Sequence, residues 1–228
     1  MIFGLLLNLK DIGLKLITMG LFKKKNNKIF CIGCNKTGTT SLGTALKNLG
    51  FKLGDQRTAE FMFNDWVKRD FSKLDDYCLH ADAFQDVPFS LPETFIYLDK
   101  KFKGSKFILT IRDSPEEWYN SLVNFHSKLW GNGKIPTAKD LQEANYLYKG
   151  FPYEGFKLLY NTSDVDLYNK KSLTDFYIDH NNSALNYFRN REKDLLILNL
   201  KESGAYLKFC SFVGKIPVKA DFPWENKT

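Results

Sequence analysis

Short, nearly unbroken apolar runs alternate along this chain with longer stretches in which apolar residues return every three or four positions. Ile29, Phe30, Cys31 and Ile32 form one run, Lys106–Ile111 a second and Leu195–Leu200 a third. Runs of this length suit strands covered on both faces in a parallel sheet. Helical spacing follows each of them. Leu42, Ala45, Leu46 and Leu49 repeat at helical intervals, with Gly50 as the stop; a proline-led helix is predicted from Pro115; and Gly204–Val213 turns Leu207, Phe209, Cys210, Phe212 and Val213 inward. Pro92–Lys103 reads as a helix with Phe95, Leu98 and Phe102 inward, Thr58–Lys68 as another with Phe61, Met62, Asp65 and Trp66 near the strand ends, and Phe51–Gly54 as a short strand. Between Ser121 and Asn182 the chain is rich in aromatics, and breaks at Gly131-Asn132-Gly133, Gly150 and Asn161 divide it into helical segments, with Ser183–Arg191 continuing a helix. The alternation predicts an α/β fold, a central parallel sheet flanked by helices in three layers.

The first 27 residues stand apart from that pattern as an amphipathic helix and basic linker. Asn8, Asp11, Lys15 and Thr18 line one face, while Leu5, Leu6, Leu9, Ile12, Leu16 and Met19 cover the rest. Asn8, Lys10, Asp11 and Lys15 interrupt the stretch well short of a spanning length. Lys23, Lys24 and Lys25 follow it, which suits a helix lying on an anionic membrane surface; a helix packed on the domain, or an extension, fits equally. No basic n-region precedes the apolar part, which argues against a signal peptide. The whole chain of 228 residues is enough for one α/β domain, placed at 28–228, and too short for two of ordinary size. A net charge of +7 favours an anionic partner without choosing among nucleotide, sulfated polymer, nucleic acid and anionic lipid. Four cysteines, Cys31, Cys34, Cys78 and Cys210, lack paired metal spacing. They read as buried thiols of a reducing, cytoplasmic compartment, with membrane association through residues 1–25 left open.

The chemistry begins where the first apolar run ends. Gly33 breaks the strand, and Lys36-Thr37-Gly38-Thr39-Thr40-Ser41 then supplies a cation, a glycine that admits a ligand close to the backbone, and consecutive hydroxyls at the start of a helix. Strand, glycine turn and helix N-terminus make an anion cradle, because unpaired N–H groups and the positive end of the helix dipole converge there. An ordinary turn capped by Thr39 or Thr40 is the plainer alternative. Nucleotide triphosphatase loops carry lysine after their last glycine with a magnesium-holding hydroxyl beside it. Here Lys36 precedes Gly38. At the tip of the Lys106–Ile111 strand, Arg112-Asp113-Ser114-Pro115 opens the next helix, on which Ser121 lies about two turns along. Arginine grips a phosphate with two parallel hydrogen bonds, and Ser121 can reach the same group. The alternative for Arg112 is an ion pair with Asp113 or Glu116.

Lysine, small residue, glycine, two threonines and a helix resemble the 5′-phosphosulfate loop of the sulfotransferases that use 3′-phosphoadenosine 5′-phosphosulfate. Arg112 followed by Ser121 resembles their 3′-phosphate motif, at a spacing one residue longer than in the cytosolic enzymes, with Ser114 as the substitute for Ser121. Gln85-Asp86-Val87-Pro88-Phe89 is similar to the later part of their Lys-Thr-His-Leu-Pro-Phe segment, with Asp86 at the position of the histidine base and Phe84 where the lysine would be. Phe222-Pro223-Trp224-Glu225-Asn226 resembles the Pro-Phe-Pro-x-x-Asn-like ending of a non-cytosolic subfamily. The resemblance spans Lys28 to Asn226. It implies a P-loop-type α/β sulfotransferase in which Lys36, Thr37, Gly38, Thr39, Thr40, Ser41, Arg112 and Ser121 bind the donor. Lys36 stabilises the departing charge, and Asp86 takes the acceptor's proton, with His80 and Asp82 in reserve. An aspartate serves an alcohol well only if burial raises its pKa. Asp55, Gln56 and Arg57, at a predicted strand end, are candidate acceptor contacts. No metal is implied, since the hydroxyl that holds magnesium after a loop lysine is missing, and no nucleic-acid partner is needed. The acceptor is open among small molecule, lipid, carbohydrate and protein. Two other classes fit less of the chain: a nucleotide or small-molecule kinase, which the lysine order opposes, and a non-catalytic basic membrane-surface module, which leaves both anion motifs idle.

Overall fold

The computed structural model describes residues 27–223. The predicted N-terminal helix and basic linker, and Trp224-Glu225-Asn226 of the C-terminal motif, lie outside these residues. Four strands form one all-parallel sheet: β1 (Ile29–Cys31), β2 (Ala83–Phe84), β3 (Lys106–Thr110) and β4 (Leu195–Leu198), in the spatial order β2-β1-β3-β4. Phe30 registers with Phe84 on one side and Phe107 on the other, and Ile108 with Leu196. Because successive side chains leave a strand on opposite faces, this register sorts the apolar runs into two cores. Ile29, Cys31, Ile108, Leu196 and Leu198 pack on α1 (Thr39–Asn48) and, later in the chain, on the helix Ala205–Val213; Phe30, Ile32, Phe107 and Leu109 pack on the other side against Phe84, Phe89, Phe95, Leu98 and Phe188. The predicted three-layer α/β fold is therefore the observed one.

The remaining helices are α2 (Gln56–Glu60), α3 (Phe63–Val67), α4 (Ser72–Leu79), α5 (Thr94–Lys101), α6 (Pro115–Trp130), α7 (Ala138–Glu143), α8 (Phe151–Tyr160), α9 (Lys170–Tyr187) and α10 (Ala205–Val213). Segments α6 to α9 gather a third core around Trp118, Leu122, Leu141, Phe156, Tyr168 and Tyr177, beside the carboxyl ends of the strands. Trp118 is fully buried and stacks on Tyr177 with ring centroids 4.8 Å apart, and its indole N–H donates to the Asn35 carbonyl at 2.9 Å. That bond ties the helical core to the loop after β1.

Several expectations are corrected. Phe51–Gly54 is no strand; Leu53 makes a single parallel bridge to Ala83, in which Ala83 N donates to the Lys52 carbonyl and Gly54 N to the Ala83 carbonyl. Thr58–Lys68 is two short helices, interrupted at Phe61 and Met62, so the side of this segment that meets the site changes phase. Helix α4 was not anticipated; its buried residues Leu74 and Cys78 are too few to mark a periodic stripe. Leu207 of α10 is exposed, whereas Phe209 and Cys210 are buried. All four cysteines are free and buried, as read from their spacing. No helix among the described residues is long and apolar enough to cross a membrane.

Candidate active site

Two close approaches build the anion loop. A Cβ on Gly33 would come within 2.2 Å of Thr110 Oγ1, so only glycine lets the chain leaving β1 pass the tip of β3. Thr37 then locks the loop to the same strand: its hydroxyl donates to the Cys34 carbonyl and meets Thr110 Oγ1 at 2.6 Å. Thr37 is thus buried behind the loop and does not line the cavity in front of it. Gly38 stands at φ 100 as the N-cap of α1, a conformation that side-chain-bearing residues rarely adopt, and no side chain caps the helix. The N-terminus of α1, the positive end of its dipole, therefore lies at the cavity that Thr39, Thr40 and Ser41 line.

This cavity, about 290 Å³, runs from the loop to the aromatic helices. Lys36, Gly38, Thr39, Thr40, Ser41, Asp86, Arg112 and Ser121 all border it, so the fold gathers residues from three separate stretches of sequence. Lys36 holds its ammonium 3.5 Å from the centre of the Phe125 ring. Burial depresses its pKa, Asp86 opposes that shift, and Arg112 and Lys128 add to it. Arg112 also braces the loop: its Nε donates to the Lys36 carbonyl at 2.7 Å, and its Nη1 lies 3.4 Å from Glu117 Oε1. Its acidic partner is Glu117, not the expected Asp113 or Glu116. Glu117 also meets Lys201, a cation from the loop after β4 that the sequence reading passed over. Ser114 is spent as the N-cap of α6, accepting from Glu117 N at 3.1 Å. Ser121 borders the cavity, and its hydroxyl, shut off from solvent, has no hydrogen-bond partner.

Asp86 follows β2 with φ 58, in the left-handed region. Its Oδ1 accepts from Val87 N at 3.0 Å, and Thr39 Oγ1 lies 3.5 Å from Oδ2. Loss of water around the carboxylate, reinforced by the nearby charge of Glu60, holds its pKa up at about 6, against the smaller opposing pull of the Val87 N–H, Thr39 and Lys36. An aspartate so placed is ionised at neutral pH yet basic enough to accept a proton. The reserves are elsewhere. His80 ends α4 in solvent, 3.8 Å from Asp76, and exposed Asp82 accepts from Lys52 N. Asp55 caps α2, Gln56 donates to the Val87 carbonyl, and Arg57 leans on the Tyr146 ring; none of the three borders the cavity.

Residues that the sequence did not single out complete the site. Glu60 and Phe63 border the cavity in place of Phe61, Met62, Asp65 and Trp66, because of the break between α2 and α3. His126, one residue past Phe125 on α6, is buried in the wall with its Nδ1 3.0 Å from Tyr168 Oη. Burial, with the charge of Lys36 as a lesser cause, pushes its pKa down to about 3, so it is a neutral imidazole. Its position one turn beyond Leu122 on an aromatic helix resembles any core histidine, and sequence offered no signal to separate it.

A cation-bearing glycine loop at the tip of β1 stands between a carboxylate after β2 and an arginine at the tip of β3, all at the carboxyl ends of parallel strands, where open α/β domains bind their ligands. The family described as the sulfotransferase domain matches residues 28–228, and the chain belongs to it. It is a transferase of sulfuryl groups. No curated protein matches the chain at a significant level.

Proposed function

We propose that the protein transfers the sulfuryl group of 3′-phosphoadenosine 5′-phosphosulfate to a hydroxyl or amine acceptor. The observation that carries this reading is the unpartnered, buried hydroxyl of Ser121 bordering the same cavity as Lys36 and Arg112. A buried hydroxyl without a partner is costly, and a phosphate oxygen would satisfy it. The residues fit a doubly anionic nucleotide at this cavity: the loop from Gly38 to Ser41 for the phosphosulfate, with Arg112 and Ser121 for the 3′-phosphate. Thr37 supports the loop from behind.

The donor supplies an activated sulfuryl group. Lys36, poorly hydrated beside Phe125, meets the negative charge that accumulates as the sulfur–oxygen bond to the phosphate breaks and its electron pair leaves with the bisphosphate. The acceptor oxygen forms the new bond to sulfur, and its proton passes to the Asp86 carboxylate. The loop, helix N-terminus and aromatic wall orient the reactants, which is where most of the acceleration of such transfers originates. The test is calorimetry with adenosine 3′,5′-bisphosphate and with ATP, with and without magnesium. The bisphosphate is expected to bind at least about tenfold more tightly, independently of magnesium, through its extra charge-assisted contacts. Equal or reversed affinities, or a requirement for magnesium, would overturn the reading.

A further inference from the structure

The charges bordering the cavity are divided. Lys36, Arg112, Ser121 and the α1 N-terminus are grouped around the loop, whereas Glu60 lies among Phe63, Tyr146 and Phe151, whose rings pack on one another with centroids 5.4 to 6.0 Å apart. Asp86 borders the same cavity, and its carboxylate feels both the negative charge of Glu60 and the positive charge of Lys36. Once the donor's negative charge meets Lys36 and Arg112, two carboxylates remain, in a wall that is largely aromatic and aliphatic.

Glu60 is not fully neutralised from behind. Tyr146 Oη donates to its Oε1 at 3.0 Å, and Arg57 lies 3.5 Å from Oε2. The Arg57 side chain is 48% exposed against 13% for Glu60, and Arg57 does not border the cavity, so the solvent-side pair is screened while Glu60 faces inward. Lys36 and Arg112 are the only lysine or arginine side chains bordering the cavity among the described residues. A carboxylate on the wall of a cavity that also carries the rings of Phe63 and Phe151 is a receptor for an organic cation, since aromatic rings and a carboxylate attract the same charge.

We propose that the acceptor is a small hydroxylated amine, with its ammonium held by Glu60 beside the rings of Phe63 and Phe151 and its hydroxyl directed to Asp86. The inference rests on the sulfuryl-transfer reading and adds the acceptor's class to it. Held protonated beside Glu60, the nitrogen has no lone pair to attack with, so the oxygen is the nucleophile and its proton goes to Asp86. A bound cation also offsets the repulsion between the two carboxylates.

Three phenols of nearly equal size test this: tyramine, 4-ethylphenol and 3-(4-hydroxyphenyl)propionate, cationic, neutral and anionic. Each is titrated into the whole protein by calorimetry, with and without saturating adenosine 3′,5′-bisphosphate. Tyramine is expected to bind about tenfold more tightly than 4-ethylphenol, the propionate least, and Glu60→Gln is expected to abolish the difference between the first two. The bisphosphate affinity of Glu60→Gln, expected to equal wild type, shows that this variant folds. Equal binding of the cationic and neutral phenols, preference for the anion, no binding of tyramine, or a preference that survives Glu60→Gln would each overturn the proposal. Failure of the bisphosphate itself to bind, with the preference for tyramine intact, would instead count against the donor reading and leave the acceptor class standing.

Discussion

The loop half of the cavity and its aromatic half are built by different means. In the loop half the ligand-facing groups are backbone N–H groups and short side chains within a few residues of Gly38, held by contacts such as Thr37 to Thr110. In the aromatic half the wall comes from α2, α3, α6 and α8 and the loop before α8, and its geometry depends on rings packing across long sequence separations. An anion cradle needs oriented dipoles, which one turn of helix provides; a receptor for an organic acceptor needs a shaped surface, which many side chains must share. Trp118 joins the halves, buried among Tyr160 and Tyr177 while its indole N–H holds Asn35 in the loop.

The largest effect is expected where the halves meet, at Asp86. Asp86→Asn keeps the volume and suits the left-handed backbone, but it cannot accept a proton, so turnover should fall by roughly 10²–10⁴-fold with bisphosphate affinity nearly unchanged. Wild-type kcat/KM should decline as pH drops through about 6, where Asp86 takes up its proton, and the variant should lose that limb. Stability follows the opposite sign. A carboxyl whose folded pKa lies above its unfolded value binds protons more readily when folded, so its contribution is present below pH 4 or so and is lost as pH rises through about 6. Asp86→Asn should accordingly melt higher than wild type at pH 7 and lose that advantage near pH 4. An equal melting difference at both pH values would show that the carboxylate is not held at this high pKa.

Trp118→Ala tests whether the aromatic half supports the loop. Removal of a fully buried indole should cost about 3–5 kcal/mol in denaturant unfolding, as for other large-to-small core substitutions. Trp118→Phe should keep most of the packing and lose mainly the bond to Asn35. If that bond positions the loop, bisphosphate affinity falls in Trp118→Phe even where stability is nearly restored; unchanged affinity would mean that the halves are independent.

Smaller effects separate the two 3′-phosphate candidates. Arg112→Ala should weaken bisphosphate binding by about 2 kcal/mol or more, and Ser121→Ala by about 1 kcal/mol. Adenosine 5′-phosphosulfate, which lacks the 3′-phosphate, should bind wild type and Ser121→Ala alike. Because Arg112 also holds the Lys36 carbonyl, equal loss of both ligands in Arg112→Ala would assign it to the loop and not to the phosphate.

These expectations divide along the line between what was legible and what was not. Residues 33–41 were legible because a strand end, a glycine turn and a helix start are local events, governed by backbone sterics and by spacing within one helical turn. The strands at β1, β3 and β4 were legible from their apolar runs, although β4 lies at the sheet edge and leaves Ile197 exposed. Asp86 was reached only through resemblance to a family motif; its raised pKa comes from burial in the fold and, secondarily, from Glu60, which is 26 positions away in sequence. Glu60 itself was hidden by a helix break at Phe61 and Met62 that no glycine or proline announces. His126 carried no signal, because a histidine on an amphipathic helix has the same pattern whether it faces a core or a cavity.

The sequence by itself determined the apolar strands β1, β3 and β4, the anion loop and the placing of an arginine at the tip of β3, because each follows from hydrophobic period, turn chemistry or residue type over a few positions. Only the tertiary structure decided which of those groups meet. It put Thr37 behind the loop and Ser121 in front of it, paired Arg112 with Glu117, left His80 in solvent, and set Glu60 opposite Asp86 in an aromatic wall. Those outcomes depend on the register of the parallel sheet and on how α6 to α9 pack over its carboxyl ends. Both are set by contacts between residues far apart in the chain, which local spacing does not encode.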